Sequence, residues 1–169
     1  MTDGLVLPSG AGHVIQGAGM TLKVGAERSR IWSFFEAEVL PGFDVGAHVH
    51  GRVEELFYIL EGELDLLAFE PRVRTGGDWR NWESDSGARV VRGGPGSLLF
   101  VPSGCPHAFA NPGPAPVRML FQASPPGHER YLEELAKLLA RPGPPDQTAI
   151  AELRARHDIH QLTPLVPAR

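Results

Sequence analysis

GFDVGAHVHGRVEELFYILEG, residues 42–62, decides how this chain is read. His48 and His50 stand two apart, Glu55 follows five residues later, and Leu56–Leu60 is a compact apolar run. Along a strand, side chains repeat every two residues, so His48 and His50 share one face. Glu55 has the opposite parity. A bend near Gly51–Val53 is therefore expected, placing Glu55 on the adjoining strand, where it can face the histidines. Three neutral-imidazole or carboxylate donors within eight residues are potential metal ligands. A fourth, His107, lies in a second Gly/Pro-punctuated stretch, residues 96–111.

Working outward, Arg30–Leu40 (RIWSFFEAEVL) is rich in aromatic and β-branched residues and predicts a strand, closed by the turn signal Pro41-Gly42. Glu61-Gly62 predicts a tight turn into ELDLLAF as the hairpin partner of the run before it. Residues 70–88 are polar and form a long inserted loop that carries Trp79 and Trp82. These indoles either close a barrel mouth as a lid or pack on the outer wall. Strand signals return at Ala88–Val91, Ser97–Val101 and Val117–Ala123.

Beyond Pro125 the pattern becomes helical: Tyr131, Leu132, Leu135, Leu138 and Leu139 recur at helical spacing. Asp146 is placed to cap a second helix with Ile150 and Leu153 on its apolar side. The expected organisation is an N-terminal arm or edge strand over 1–24, a barrel of short strands over 25–124, and a helical extension over 125–169.

The chain has 169 residues, enough for one domain with a real core. Its 20 glycines and 16 prolines are scattered without period, so they punctuate turns and favour short strands. A net charge of -4 without a Lys/Arg cluster argues against a nucleic-acid partner. No apolar run is long enough to cross a bilayer, and no signal-peptide pattern opens the chain, so a cytoplasmic location is expected. Cys105 is the only cysteine, which rules out an intrachain disulfide; it reads as a small turn residue. His13, His128, His157 and His160 have no matching spacing and read as structural or surface residues.

Three imidazoles and one carboxylate form an N3O donor set, suited to iron, manganese, cobalt, nickel, copper or zinc. Four protein ligands leave positions open for a substrate or dioxygen. The frame around them is specific. Gly42, His48, His50, Glu55 and Gly62 fit G-x5-H-x-H-x4-E-x6-G; Gly96, Pro102, Gly104, His107 and Asn111 fit G-x5-P-x-G-x2-H-x3-N. All fixed positions match, and the chain resembles the cupin superfamily. SPPGHERYLEEL, residues 124–135, further resembles a segment of small single-domain bacterial cupins labelled quercetin-dioxygenase-like.

The resemblance implies a mainly β, double-stranded β-helix (jelly-roll) barrel with the two C-terminal α-helices added. It implies His48, His50, Glu55 and His107 as ligands of one divalent transition metal ion, with the x4 spacing selecting Glu55 over Glu54. Gly62 and Gly104 would take turn conformations, and Asn111 would hold a strand end. A homodimer is implied by pairing of barrel faces. The activity implied first is that of a metal-dependent dioxygenase acting on a small organic substrate, with Glu55 as general base. The alternatives are a cyclase, isomerase or lyase without oxygen chemistry, or a small-molecule-binding protein without catalysis. Strand parity proposes Phe57 and Ile59 beside Glu55, Phe109 beside His107, and Trp32 and Phe34 on an earlier strand as an apolar pocket.

Overall fold

The computed structural model describes residues 3–168; residues 1, 2 and 169, at the outer ends of the expected arm and helical extension, lie outside the described residues. Among the described residues, eleven strands form two antiparallel sheets that face each other as a jelly-roll barrel. In chain order they are β1 (His13–Ile15), β2 (Met20–Val24), β3 (Ser33–Val39), β4 (His48–His50), β5 (Glu54–Glu61), β6 (Leu64–Ala68), β7 (Val91–Gly93), β8 (Leu98–Val101), β9 (His107–Ala110), β10 (Val117–Ser124) and, after both helices, β11 (Ile159–Gln161). The larger sheet runs β1-β2-β3-β10-β5-β8, and the smaller runs β11-β4-β9-β6-β7. Residues 13–24 thus supply two strands of the larger sheet.

Strict alternation builds the inner wall of the larger sheet. On β3, Ser33, Phe35, Ala37 and Val39 are buried; on β10, Val117, Met119, Phe121 and Ala123 are. The paired register Phe35↔Phe121↔Phe57 sets three rings side by side across β3, β10 and β5. Phe121 stacks on Phe57 at 4.7 Å and on Phe35 at 5.2 Å. Burying rings of this kind stabilises the fold by roughly 1.5–3 kcal/mol each.

Two strands of the smaller sheet are buried on both faces. On β6, Leu64 and Leu66 point into the barrel while Leu67 points outward; on β9, Phe109 is inward while Ala108 and Ala110 are outward. The loop after β6 covers that outer face. Its single 3-10 turn, Trp79–Asn81, sets Trp79 and Trp82 in a second apolar cluster with Leu67, Ala108 and Ala110. The small alanines leave room for the indoles. Trp79 Nε1 donates to Asp44 Oδ1 at 3.0 Å, and Asp65 receives Arg80 Nε at 3.2 Å and Arg92 Nε at 2.6 Å. Of the two arrangements open to the loop, the outer-wall packing is the one formed.

The expected hairpin between Leu56–Leu60 and ELDLLAF does not form. Gly62 makes the turn at φ +82°, where a Cβ would lie 2.7 Å from Val117 Cγ2. The chain there crosses between sheets: β5 pairs with β10 and β8, while β6 pairs with β9 and β7. A jelly roll exchanges sheets at such turns, so sequence neighbours face each other instead of pairing.

Helix α1 (His128–Leu139) buries Tyr131, Leu132, Leu135 and Ala136. Helix α2 (Gln147–Arg156) is capped by Asp146, whose carboxylate accepts from Ala149 N at 3.0 Å. Both helices join the main core, and the chain then returns as β11 to pair with β4. None of the described helices is long and apolar enough to cross a membrane.

Candidate metal centre and cavity

The four predicted ligands meet. His48 and His50 project from β4, and His107 lies opposite His48 in the β4–β9 register. The bend at 51–53 carries the chain to the other sheet, so Glu55 faces the imidazoles across the barrel. All four side chains are buried, and their ligand atoms lie within 4.8 Å of one another. Gly104, at φ +84°, donates its N–H to His50 O at 2.7 Å and fixes the turn that launches β9.

Backbone carbonyls set the tautomer of all three imidazoles. His48 Nδ1 donates to Gly46 O at 2.7 Å, His50 Nδ1 to Asp158 O at 3.0 Å, and His107 Nδ1 to Cys105 O at 3.1 Å. A carbonyl only accepts, so each Nδ1 holds the proton, and each neutral ring presents its Nε2 lone pair inward. His107 Nε2 sits 3.0 Å from Glu55 Oε2. His50 Nε2 sits 3.2 Å from Glu55 Oε1 but off the hydrogen-bond direction, and it has no hydrogen-bond partner among the described residues. Lone pairs therefore converge on carboxylate oxygens, an arrangement that a cation placed among them satisfies. A divalent transition metal satisfies all four donors together, and the carbonyl-braced imidazoles are the outer support such a site requires.

The charge of the cluster centres on its carboxylate. Burial, then the neighbouring His107, Arg154 and His50, holds the His48 pKa well below its ordinary value. Burial also opposes protonation of His50, but the Glu55 carboxylate and Asp158 outweigh it and the pKa is raised. Burial alone would raise Glu55; the close approach of His50 and then His107 overcomes this and holds the carboxyl well below its usual range. Glu55 is thus the buried anion on which the site is built.

A cavity of about 260 Å³ opens on one side of this cluster, with His48 and Glu55 in its wall. Phe57 and Phe109 line it as the parity argument expected, and Phe121, Leu132 and Leu135 complete the apolar part. Three expected pocket residues do not line it. Ile59 is buried on the same face of β5 but packs deeper in the core. Trp32 and Phe34 lie on the opposite face of the β3 segment, where their rings meet edge to face at 6.2 Å. The inward residue is Phe35: aromatic side chains occupy both parities of that stretch, so alternation alone does not choose between them.

Two lining residues able to carry chemistry, His128 and Arg154, escaped the sequence reading. His128, expected to be structural or surface, is largely enclosed in the cavity wall with its side chain 12% exposed, and its Nδ1 lies 3.8 Å from Glu55 Oε1. Burial lowers its pKa to about 4 despite the Glu55 charge, so it is neutral at pH 7. Helical spacing held the signal, since His128 lies one turn before the buried Tyr131 and Leu132. Arg154 is the other; it is only 1% exposed and lines the same cavity. Cys105 is half-buried and burial raises its pKa, which suits an inert turn residue. Asn111 Nδ2 donates to Val39 O and Ala115 O, both at 2.8 Å, and holds the strand ends.

A family model described as Cupin matches residues 25–146. No curated protein matches the chain. Among solved structures, similarity extends to a Thermus thermophilus protein at 22% identity, covering 66% of this chain and 89% of that one, with a TM-score of 0.47. A predicted oxalate decarboxylase from Thermotoga maritima is 23% identical over 62% of this chain and 77% of its own, with a TM-score of 0.47. A Klebsiella pneumoniae protein with a double-stranded β-helix domain is 16% identical over 72% and 84%, with a TM-score of 0.47.

Proposed function

This chain belongs to the cupin family, and from that premise we propose that it is a metal-dependent enzyme acting on a small, largely apolar organic molecule, with dioxygenation as its reaction. One observation carries the reading: the buried His48, His50, Glu55, His107 cluster borders a largely apolar cavity, with His48 and Glu55 in its wall. Held by these four side chains, a divalent transition metal supplies Lewis acidity, open coordination positions and, if redox-active, access to dioxygen chemistry.

The protein's own part is binding, exclusion of water and proton handling. Phe57, Phe109 and Phe121 enclose an apolar substrate next to the donor set. Glu55 lies in the cavity wall and can take a substrate proton. His128 Nδ1, 3.8 Å away, can share that proton or orient a substrate oxygen. The test is oxygen uptake by the metal-loaded protein with candidate substrates, beside Glu55→Gln. The proposal expects uptake in the wild type and metal without turnover in the variant. Full activity in Glu55→Gln removes the base role.

His128 specifically favours a second reading, a Lewis-acid isomerase, cyclase or lyase, because a neutral imidazole beside a carboxylate is a proton-transfer pair. Turnover unchanged under nitrogen would select it. We further propose a homodimer through the outer face of β5 and β8, where Tyr58, Leu98 and Phe100 are exposed by 37%, 54% and 51% at a sheet edge. Light scattering is expected to show a dimer that Phe100→Glu converts to a monomer; an unchanged mass in the variant would place the contact elsewhere.

A further inference from the structure

Arg154 is the one fully buried cationic side chain that the described ion pairs leave without a carboxylate. It projects from the last turn of α2. Its Nε donates to Tyr131 Oη at 3.2 Å, Nη1 to Gln161 Oε1 at 2.9 Å, and Nη2 to Val45 O at 2.7 Å. These bonds tie α2 to α1, to β11 and to the segment before β4. All three acceptors are neutral, so they orient the guanidinium without compensating its charge. A guanidinium has five N–H groups; among the described residues three have acceptors, leaving one on each Nη. Tyr131 accepts from Arg154, and its own O–H has no acceptor among the described residues.

Both groups lie in the wall of the cavity that the metal ligands face. Along α1, Tyr131 stands three residues after His128, with ring centroids 5.2 Å apart. The cavity wall thus runs in order from Glu55 through His128 and Tyr131 to Arg154. Glu55 is the anion of this wall, and Arg154 is its cation: it stands beside His48, because its Nη1 holds Gln161, the strand partner of His48, and its Nη2 holds Val45 O. Next to the cation is the free hydroxyl of Tyr131. The rest of the surface is largely aromatic and aliphatic. A buried charge without a partner is costly to a fold and is compensated when a ligand brings the opposite charge.

We propose that the cavity binds an organic acid: its carboxylate sits on Arg154 and Tyr131, on the side of the cavity next to His48, while its short apolar body fills the aromatic and aliphatic part. This rests on reading the cavity as the substrate site. Arg154 is an anchoring group and takes no part in bond making.

Isothermal titration of the full chain, with and without metal, tests this using 3-phenylpropanoate, benzoate and octanoate beside their primary amides. The acids are expected to bind at least about tenfold more tightly than the amides, as charge-assisted bonds to a desolvated guanidinium should give. Arg154→Gln is expected to abolish the preference. Because that change also removes three structural bonds, Tyr131→Phe is the second variant: it deletes one hydroxyl, and it should reduce acid binding several-fold while leaving the amides unchanged. Equal binding of acids and amides, or a preference that survives in both variants, overturns the anchor while leaving the cavity as a binding site. Failure of every acid and amide to bind overturns the cavity reading and the anchor with it.

Discussion

His128 Nδ1 lies 3.8 Å from Glu55 Oε1, joining the first turn of α1 to a carboxylate on the far wall of the barrel. The contact makes the C-terminal extension part of the site. The same extension returns Asp158, whose carbonyl fixes His50, and Arg154, whose guanidinium lines the cavity. Replacing His128 by Phe should keep the fold, because its ring already sits edge to face with Phe121 and Tyr131 at 5.1 and 5.2 Å. Metal content should be unchanged and turnover should fall by about 100-fold or more, typical of losing a proton-transfer group. Metal lost together with activity would instead make His128 a ligand.

Trp79 separates stability from function. It is 1% exposed, yet it packs on the outer face of the smaller sheet, away from the cavity. Trp79→Ala should cost about 3–5 kcal/mol in urea denaturation through the cavity it leaves. Metal stoichiometry and turnover of the folded protein should stay unchanged. A selective loss of turnover in a stably folded variant would show that the loop acts on the site.

Glu129 gives the pH dependence a sign. Its Oε1 accepts from Ala26 N at 2.7 Å and its Oε2 from Ser33 Oγ at 2.6 Å, clamping the chain before β3 to the start of α1. Burial would raise its pKa, but these bonds and the helix N-terminal amides hold it below the ordinary value. The unfolded carboxyl titrates near about 4.3. The stabilisation is therefore complete above that pH and disappears as pH falls through the lower folded-state pKa. Glu129→Gln should destabilise by about 1–3 kcal/mol at pH 7. The gap to the wild type should close below about pH 4. A gap that stays constant with pH would mean the clamp does not depend on charge.

The ligand set was legible because it rests on local rules: parity puts His48 and His50 on one face, and Gly62, Pro102 and Gly104 mark the turns that launch or end the strands. Pairing was not local. β10 sits between β3 and β5, far away in sequence, and no pattern within β5 or β6 reveals that the turn at Gly62 changes sheets. The Trp32–Phe35 run was ambiguous because both its faces carry aromatics. His128 and Arg154 were hidden differently. Each lies on the buried side of its helix, at positions readable from Tyr131–Leu135 and Ile150–Leu153, but only docking of the helices decides that this side meets the cavity.

Elemental analysis by mass spectrometry of the purified protein, beside the His48→Ala/His107→Ala double variant, tests the central claim most directly. The converging Nε2 lone pairs and the Glu55 carboxylate predict close to one transition-metal ion per chain in the wild type and none in the folded variant. A folded wild type that binds no metal even after reconstitution, or a variant that keeps its full complement, would contradict the metal centre.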